Sequence, residues 1–224
     1  MAQKAFDLAD RYQVPVFILT DQYILESHYN ISSLDPARIP FVKHFVETRK
    51  DYKRYQLTET ELSPRGIPGF GEGLVVLDSD EHDEEGHITE DLDVRTRMVD
   101  KRFKKLDLLM KDGIPPELIG PENYKTLIIG WGSTYHTIKE ALERLGREDT
   151  ALLHFKQVYP LHPDTIAYLK KAKKTVIVEN NGTAQFGQLI RLQTGIDMDQ
   201  KILKYNGLSF SVEELQEQLK SVLD

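Results

Sequence analysis

Two stretches of the sequence combine residue types that could do chemistry, and the first is an acidic run at residues 78–93. This run holds nine carboxylates and no lysine or arginine, and it includes His82 and His87. Histidine with carboxylate is a ligand set for zinc or iron, which makes a metal site one interpretation. However, the His-x4-His spacing falls in a predicted loop and differs from the i, i+4 pair of a helical His-Glu-x-x-His site.

We therefore favour a solvated or interfacial acidic loop over a metal site. Carboxylates packed this densely repel one another unless cations neutralise them. The natural partner is the basic segment that follows, residues 95–105, from this chain or from another. The residues expected at such an interface are Arg65, Asp80, Glu81, His82, Asp83, Glu84 and His87.

The second stretch is the turn Gly-Trp-Gly-Ser-Thr at residues 130–134, between a predicted strand and a predicted helix. Free N–H groups at such a helix start can hold a phosphate, so the turn is a candidate anion-binding element. A dinucleotide fingerprint would need a third glycine, and Thr137 follows instead, which favours a structural turn or an interface element. Asn180-Asn181 likewise indicates a helix-capping turn before a functional contact. The candidate anion-binding residues are Gly130, Gly132, Ser133 and Thr134.

Composition excludes several function classes. The chain has no cysteine, which removes disulfides, thiolate metal sites, iron–sulfur ligation and cysteine nucleophiles. No Gly-x-Ser-x-Gly elbow or Walker loop occurs. A net charge of -7 disfavours nucleic acid, and no apolar run approaches the roughly 20 residues that span a bilayer. Without a signal-peptide pattern, we expect a cytoplasmic protein with no nucleic-acid or membrane partner.

The elements that must position these residues are clearest in the last hundred residues. Strands are predicted at 124–129, 151–155, 175–179 and 201–205, and apolar residues at helical spacing lie between them. Gly146 is placed to end a helix, and Ser211 with Glu214 forms a capping box. This alternation predicts an α/β fold, a three-layer αβα domain with a mostly parallel sheet, over residues 119–224.

Residues 1–118 are predicted to be the end of one domain followed by a connector. A helix at 2–12 feeds a buried strand at 14–20, which is typical of the second half of a β–α–β unit. Residues 1–30 are therefore predicted to be the last helix and strand of a second α/β domain, although a small domain that starts with a helix is the alternative. Residues 31–118 are predicted to be an irregular connector with a strand at 74–77 and a helix near 91–110.

Taken together, these segments resemble the α subunit of 2-oxoacid:ferredoxin oxidoreductases, with the 2-oxoglutarate type the best fit. Residues 5–16 are similar to the closing helix and strand of its thiamine-diphosphate pyrimidine-binding domain. Tyr55, the Ser-Pro-Arg-Gly-Ile-Pro-Gly motif at 63–69, residues 80–91 and Lys101-Arg102 resemble its connecting region. Residues 124–224 look like its transketolase-C-terminal-like domain.

The resemblance implies oxidative decarboxylation of a 2-oxoacid to acyl-CoA, with electrons passed to ferredoxin. It also implies thiamine diphosphate, Mg²⁺ and a [4Fe-4S] cluster in the intact complex, together with a β subunit, ferredoxin and coenzyme A as partners. The family's Tyr-Pro-Ile-Thr-Pro motif and its substrate-binding arginine segment are absent, so no catalytic, cofactor-binding or metal-binding residue is carried onto this chain. We expect a scaffold that holds no cofactor and is inactive alone. The alternatives are a stand-alone binding or regulatory α/β module, and a small metal-binding protein that uses His82 and His87.

Overall fold

Helices and strands lie in two units in this computed structural model, which describes residues 1–33, 35, 37, 39 and 42–223. One unit combines Met1–Leu19 with Tyr29–Leu109, and the other combines Thr20–His28 with the chain from Met110 onward. We call them the N-terminal and the C-terminal unit. In chain order the elements are α1 Ala2–Tyr12, α2 Gln22–Glu26, β1 Val46–Thr48, β2 Gly66–Gly71, α3 Leu92–Asp112, β3 Glu117–Ile119, β4 Thr126–Trp131, α4 Tyr135–Leu145, β5 Thr150–Phe155, α5 Thr165–Lys171, β6 Lys174–Glu179, α6 Gln185–Thr194, β7 Gln200–Leu203 and α7 Val212–Leu223.

The C-terminal unit is built on a five-stranded sheet in the order β3-β5-β4-β6-β7. Strand β3 pairs antiparallel with β5, and the other neighbours are parallel. Every residue of β5 is buried, because helices cover the sheet on both faces. Ile138 of α4 and Leu215 of α7 pack on one face, and Leu169 of α5 and Ile190 of α6 pack on the other. The predicted three-layer αβα fold is confirmed.

Helix ends in this unit follow the local sequence, with two departures. Gly146 ends α4 in the left-handed conformation at φ 61°, as predicted. The Ser211 hydroxyl accepts from the Glu214 N–H at 3.1 Å, but the Glu214 carboxylate binds Lys204 at 2.5 Å, so only half of the predicted capping box forms. Ile166 of α5 is exposed, although Leu169, one turn further along the same helix, is buried.

The N-terminal unit has fewer regular elements. Helix α1 buries Leu8 and Tyr12, one turn apart on the same face. Strands β1 and β2 pair in parallel, with Val46 opposite Gly66. Helix α3 confirms the helix expected near residues 91–110.

Two predicted strands are wrong. Residues 14–20 form neither helix nor sheet, and Phe17 is 83% exposed. A strand requires a neighbour to receive its backbone hydrogen bonds, and no described strand pairs with this segment. Residues 74–77 are also irregular, with Leu74 and Leu77 exposed. The boundaries expected at 30 and 118 stay a prediction.

Candidate functional site

The acidic loop closes on itself through Asp83. The Asp83 N–H donates to the His87 carbonyl at 2.9 Å, and the Asp83 carboxylate accepts the N–H groups of Gly86 and His87, each at 2.9 Å. Burial alone would raise the pKa of Asp83, but these two N–H groups lower it overall. Gly86 has φ 97°, and a Cβ there would collide with the carbonyl oxygen of Val76. Only glycine fits this turn without strain.

Neighbouring carboxylates fasten the loop to residues 53–57. The Glu84 carboxylate accepts the Leu57 N–H at 2.9 Å, and Glu85 pairs with Lys53 at 2.8 Å. The His82 ring stacks on Tyr55 with the ring centres 3.7 Å apart and the planes 32° apart. The loop is therefore part of the packed N-terminal unit.

Glu81 forms ion pairs with arginine side chains of α3. Arg102 donates to both of its oxygens, at 2.9 and 3.2 Å, and Arg95 lies 3.6 Å away. The bond to Arg102 holds the pKa of Glu81 below its ordinary value. The basic segment after the loop is thus its partner within this chain, which was one of the two predicted arrangements.

The histidines of the loop do not gather a metal-ligand set. His82 Nδ1 lies 2.9 Å from the Asp80 carbonyl oxygen, and His87 Nδ1 lies 3.8 Å from Asp83. Across the described residues no three histidine, aspartate or glutamate side chains are grouped so as to hold a metal ion. The metal interpretation finds no support in these positions.

Lys101 of α3 is a buried ammonium group beneath the loop. It is 7% exposed, and it donates to the carbonyl oxygens of Tyr55 at 2.7 Å and Gln56 at 3.0 Å, and to the Ser63 hydroxyl. Burial lowers its pKa to about 8, and the nearby charge of Lys105 adds to the effect. All three donors of Lys101 are used to hold the chain at residues 55–63, so the lysine positions the segment that leads into the motif at 63–69.

That motif is held by its backbone and presents Arg65. Its first carbonyl accepts from the Gln13 amide at 2.7 Å, and its second accepts from the Tyr52 hydroxyl at 2.8 Å. The Arg65 guanidinium pairs with Asp10 of α1. The predicted interface residue Arg65 therefore already has a partner in the N-terminal unit.

An open groove runs along α1 beside Arg65, with a volume of about 950 Å³. Its walls are mostly apolar and include Phe6, Val14 and Phe45, and Arg54 and Arg65 both reach it. Grooves of this volume accommodate ligands or protein segments. This groove was not anticipated from the sequence.

Gly130 and Trp131 of the predicted turn are the last two residues of β4, and the turn itself begins at Gly132, at the carboxyl end of that strand. Residues Gly132–Thr134 form one 3₁₀ turn, and the Thr134 hydroxyl lies 3.2 Å from the Trp131 N–H and 2.9 Å from the Trp131 carbonyl oxygen. The Ser133 hydroxyl donates to the carboxylate of Asp21. A carboxylate beside the turn disfavours a second anion there. The anion-binding role of this turn stays a prediction.

The side chain of Glu179, the last residue of β6, forms hydrogen bonds with the end of β4 and with the start of α6. Its side chain is completely buried at the end of β6. One oxygen accepts from the Trp131 indole at 3.3 Å, from Asn181 at 2.6 Å and from the Phe186 N–H at 3.1 Å, and the other accepts from the Gly187 N–H at 3.0 Å. A carboxylate at the start of α6 also complements the helix dipole.

Comparisons with known proteins agree with this geometry. The family described as "Pyruvate flavodoxin/ferredoxin oxidoreductase, thiamine diP-bdg" matches residues 1–101. The chain is 35% identical over 228 residues to 2-oxoacid:ferredoxin oxidoreductase 1, subunit alpha, of Sulfurisphaera tokodaii, and 33% identical over 235 residues to 2-oxoacid:ferredoxin oxidoreductase 2, subunit alpha, of Aeropyrum pernix. These matches cover 98% and 100% of this chain and 36% of each relative.

A solved structure shows the same fold. The 2-oxoglutarate:ferredoxin oxidoreductase from Magnetococcus marinus, with 2-oxoglutarate, coenzyme A and succinyl-CoA bound, superposes with a TM-score of 0.88 at 29% identity. The match covers 97% of this chain and 39% of that chain. The chain is thus similar in sequence and in fold to the α subunits of 2-oxoacid:ferredoxin oxidoreductases. The resemblance drawn from the motifs at 63–69 and 80–91 is confirmed.

The chain spans about a third of the length of the curated relatives it matches. Two of its residues were not singled out as sites in the sequence. Glu179 carried a signal, because a glutamate that ends the apolar strand Thr-Val-Ile-Val needs buried donors. For Lys101 the signal was its place in the Lys101-Arg102 pair that resembles the family's connecting region, since a lysine in a highly charged helix gives no sign by itself that it is buried.

Proposed function

We propose that this chain is the C-terminal part of the α subunit of a thiamine-diphosphate-dependent 2-oxoacid:ferredoxin oxidoreductase, with 2-oxoglutarate as the favoured substrate. Such a complex releases carbon dioxide from the 2-oxoacid, transfers the acyl group to coenzyme A and passes two electrons to ferredoxin through a [4Fe-4S] cluster. The observation that carries the proposal is the superposition on the Magnetococcus marinus enzyme over 97% of this chain.

The described residues do not themselves fit thiamine diphosphate. They include no group of three carboxylate or histidine side chains that could hold the Mg²⁺ of a diphosphate. In the turn after β4, the carboxylate of Asp21 contacts Ser133, and its charge opposes a diphosphate. We therefore assign the chain a scaffold role in the complex and assign no chemical step to its residues.

As a scaffold the chain would present two kinds of surface. The C-terminal unit is a closed three-layer domain whose strands are covered by helices. The N-terminal unit carries the acidic loop, in which Asp80 and Glu90 remain exposed. We assign this loop to an interface with the β subunit or with another domain of the complex, and we place the complex in the cytoplasm. No helix among the described residues is long and apolar enough to cross a bilayer.

Reconstitution tests the proposal. The chain is combined with the β subunit of the Sulfurisphaera tokodaii relative and with the portion of that relative's α subunit that this chain does not match. The expected result is 2-oxoglutarate-dependent and coenzyme-A-dependent reduction of a viologen dye, together with carbon dioxide release. The matched positive control replaces this chain with the corresponding third of the relative.

The chain alone and the mixture without it are expected to give no dye reduction. A mixture that is equally active without this chain would contradict the scaffold role. An inactive mixture with an active positive control would contradict the family function and favour a stand-alone binding module.

A further inference from the structure

Two Asn-Gly pairs in the C-terminal unit bring together the groups for a reaction of the chain with itself. Of the asparagines in the sequence, only Asn181 and Asn206 are followed by glycine. In such a pair the backbone nitrogen of the glycine can attack the side-chain amide carbon of the asparagine, because no Cβ on the glycine obstructs the approach. The rate in a folded protein then depends on how freely the asparagine can rotate into the reactive arrangement.

Asn181 is held at both ends of its side-chain amide. The NH₂ group donates to the buried carboxylate of Glu179 at 2.6 Å, and the oxygen accepts the N–H groups of Thr183 at 3.1 Å and Gln185 at 3.2 Å. An attack by the Gly182 nitrogen closes a ring that contains both side-chain and backbone atoms of Asn181, so both must rotate first. That rotation breaks three hydrogen bonds, one of which is made to a charged group.

Asn206 is held by much less. Residues 205–209 are exposed and form neither helix nor strand. Among the hydrogen bonds of the described residues, the Asn206 side chain takes part in one, in which its oxygen accepts the Leu208 N–H at 3.1 Å, and the Gly207 N–H takes part in none. A single neutral hydrogen bond therefore opposes the rotation of Asn206, against three at Asn181.

We propose that Asn206 is a site of spontaneous deamidation and that Asn181 is protected from the same reaction by its hydrogen bonds. The Gly207 nitrogen gives its proton to hydroxide and forms a bond to the amide carbon of Asn206. The bond from that carbon to the NH₂ group breaks, and ammonia leaves after taking a proton from water. Water then opens the succinimide ring and leaves aspartate or isoaspartate at position 206. The net reaction consumes one water and releases one ammonia, without oxidation or reduction.

The product changes a loop whose two ends are fixed. Before the site, the Lys204 N–H donates to the Glu179 carbonyl at 3.1 Å, and after the site Phe210 is buried. Either product adds a negative charge, and isoaspartate also lengthens the main chain by one methylene group. Between fixed ends the loop must absorb this length, which disturbs the bond from Lys204 Nζ to the Ser209 carbonyl at 2.9 Å. The reaction therefore changes the charge and shape of an exposed loop and leaves the buried core in place.

Peptide mapping tests the assignment. The folded chain is incubated at mildly alkaline pH in water enriched in oxygen-18, and the peptides that contain Asn181 and Asn206 are followed by mass spectrometry. The oxygen-18 label should enter at Asn206 at least about tenfold faster than at Asn181, because the additional hydrogen bonds make the reactive arrangement of Asn181 rarer. Isoaspartyl methyltransferase with S-adenosylmethionine should methylate the isoaspartate formed at position 206.

Two controls separate the effect of the fold from the chemistry of the dipeptide. In the urea-denatured chain, both Asn-Gly pairs should react at similar rates, because no hydrogen bond then holds either side chain. Asn206→Gln should abolish labelling of its peptide without a change at Asn181, since the larger ring that glutamine would form closes more slowly.

Three results would each overturn the proposal. They are equal rates at the two sites in the folded chain, a faster reaction at Asn181, and no reaction at Asn206 under conditions in which the denatured chain reacts there. Deamidation of Asn206 is independent of the proposed function, because the labelling experiment requires no other subunit and no oxidoreductase activity. A failed reconstitution would therefore leave this site standing, and a failed labelling experiment would leave the proposed function standing.

Discussion

Replacement of Glu179 by glutamine should destabilise the C-terminal unit, although the two side chains have nearly the same shape. Glutamine can keep its oxygen where three donors converge, namely the Trp131 indole, Asn181 and the Phe186 N–H. Its NH₂ group must then face the Gly187 N–H, which loses its acceptor at 3.0 Å. The substitution therefore creates one buried contact between two donors at the start of α6.

The magnitude follows from three contributions. A buried donor without an acceptor costs about 1–3 kcal/mol. The three remaining bonds change from charge-assisted to neutral and lose roughly 1 kcal/mol each. Glutamine avoids the burial of a charge, which is several kcal/mol and offsets most of the second contribution. The expected net loss of unfolding free energy for Glu179→Gln is about 2–3 kcal/mol.

Trp131 provides the assay, because it is the single tryptophan of the chain and it donates directly to Glu179. Urea unfolding followed by its fluorescence should move to a midpoint roughly 1 M lower in Glu179→Gln, for a slope of about 2 kcal/mol per molar urea. The matched control is Glu140→Gln, where an exposed glutamate pairs with Arg144 at 2.6 Å and contributes under about 1 kcal/mol. Equal midpoints for the two variants would refute the reasoning.

Three further predictions concern the N-terminal unit. Burial lowers the pKa of Lys101 from 10.5 to about 8, so the folded chain loses this proton at a lower pH than the unfolded chain does. Between pH 8 and 10.5 the stability of the wild type, measured by thermal unfolding, should therefore increase by about 3 kcal/mol relative to that of Lys101→Met. A stability difference that stays constant over this pH range would contradict the prediction. Gly86→Ala should lower the unfolding free energy by more than about 1 kcal/mol, measured by circular dichroism, whereas an unchanged value would show that the loop can relax. In the reconstituted complex, Asp80→Lys with Glu90→Lys should weaken assembly without lowering Tm, whereas Asp83→Lys should lower Tm by opening the loop; unchanged assembly in the double variant would reject the interface.

The sheet of the C-terminal unit could be predicted because its signals are local. Apolar runs at 126–131, 150–155 and 174–179 each become a buried strand, and Gly146 ends α4 where its left-handed conformation is required. Strand β3 was not predicted, since three residues at the sheet edge carry too little pattern to be distinguished from a loop. The order of the strands also depends on contacts distant in sequence.

The failed strand at residues 14–20 shows where local signals end. Its valines, isoleucine and phenylalanine favour a strand by composition, but a strand exists only through hydrogen bonds to a neighbour. None of the described residues supplies that neighbour. The same composition that predicted burial therefore produces an exposed apolar segment in this chain.

The number of carboxylates in the acidic loop does not predict its role, because side chains of the same charge make different contacts there. Asp83 closes the turn, Glu84 accepts from Leu57 and Glu81 binds Arg102, so these carboxylates hold the fold together. High charge density in the sequence suggested a basic partner in this chain or in another. Within the N-terminal unit, Glu81, Glu84 and Glu85 contact donors tens of residues away, whereas Asp83 is compensated by N–H groups of the loop itself. The exposed carboxylates of the run for which no side-chain contact is described are Asp80, Glu90 and Asp93. The case for a partner surface rests on them and not on the size of the acidic run.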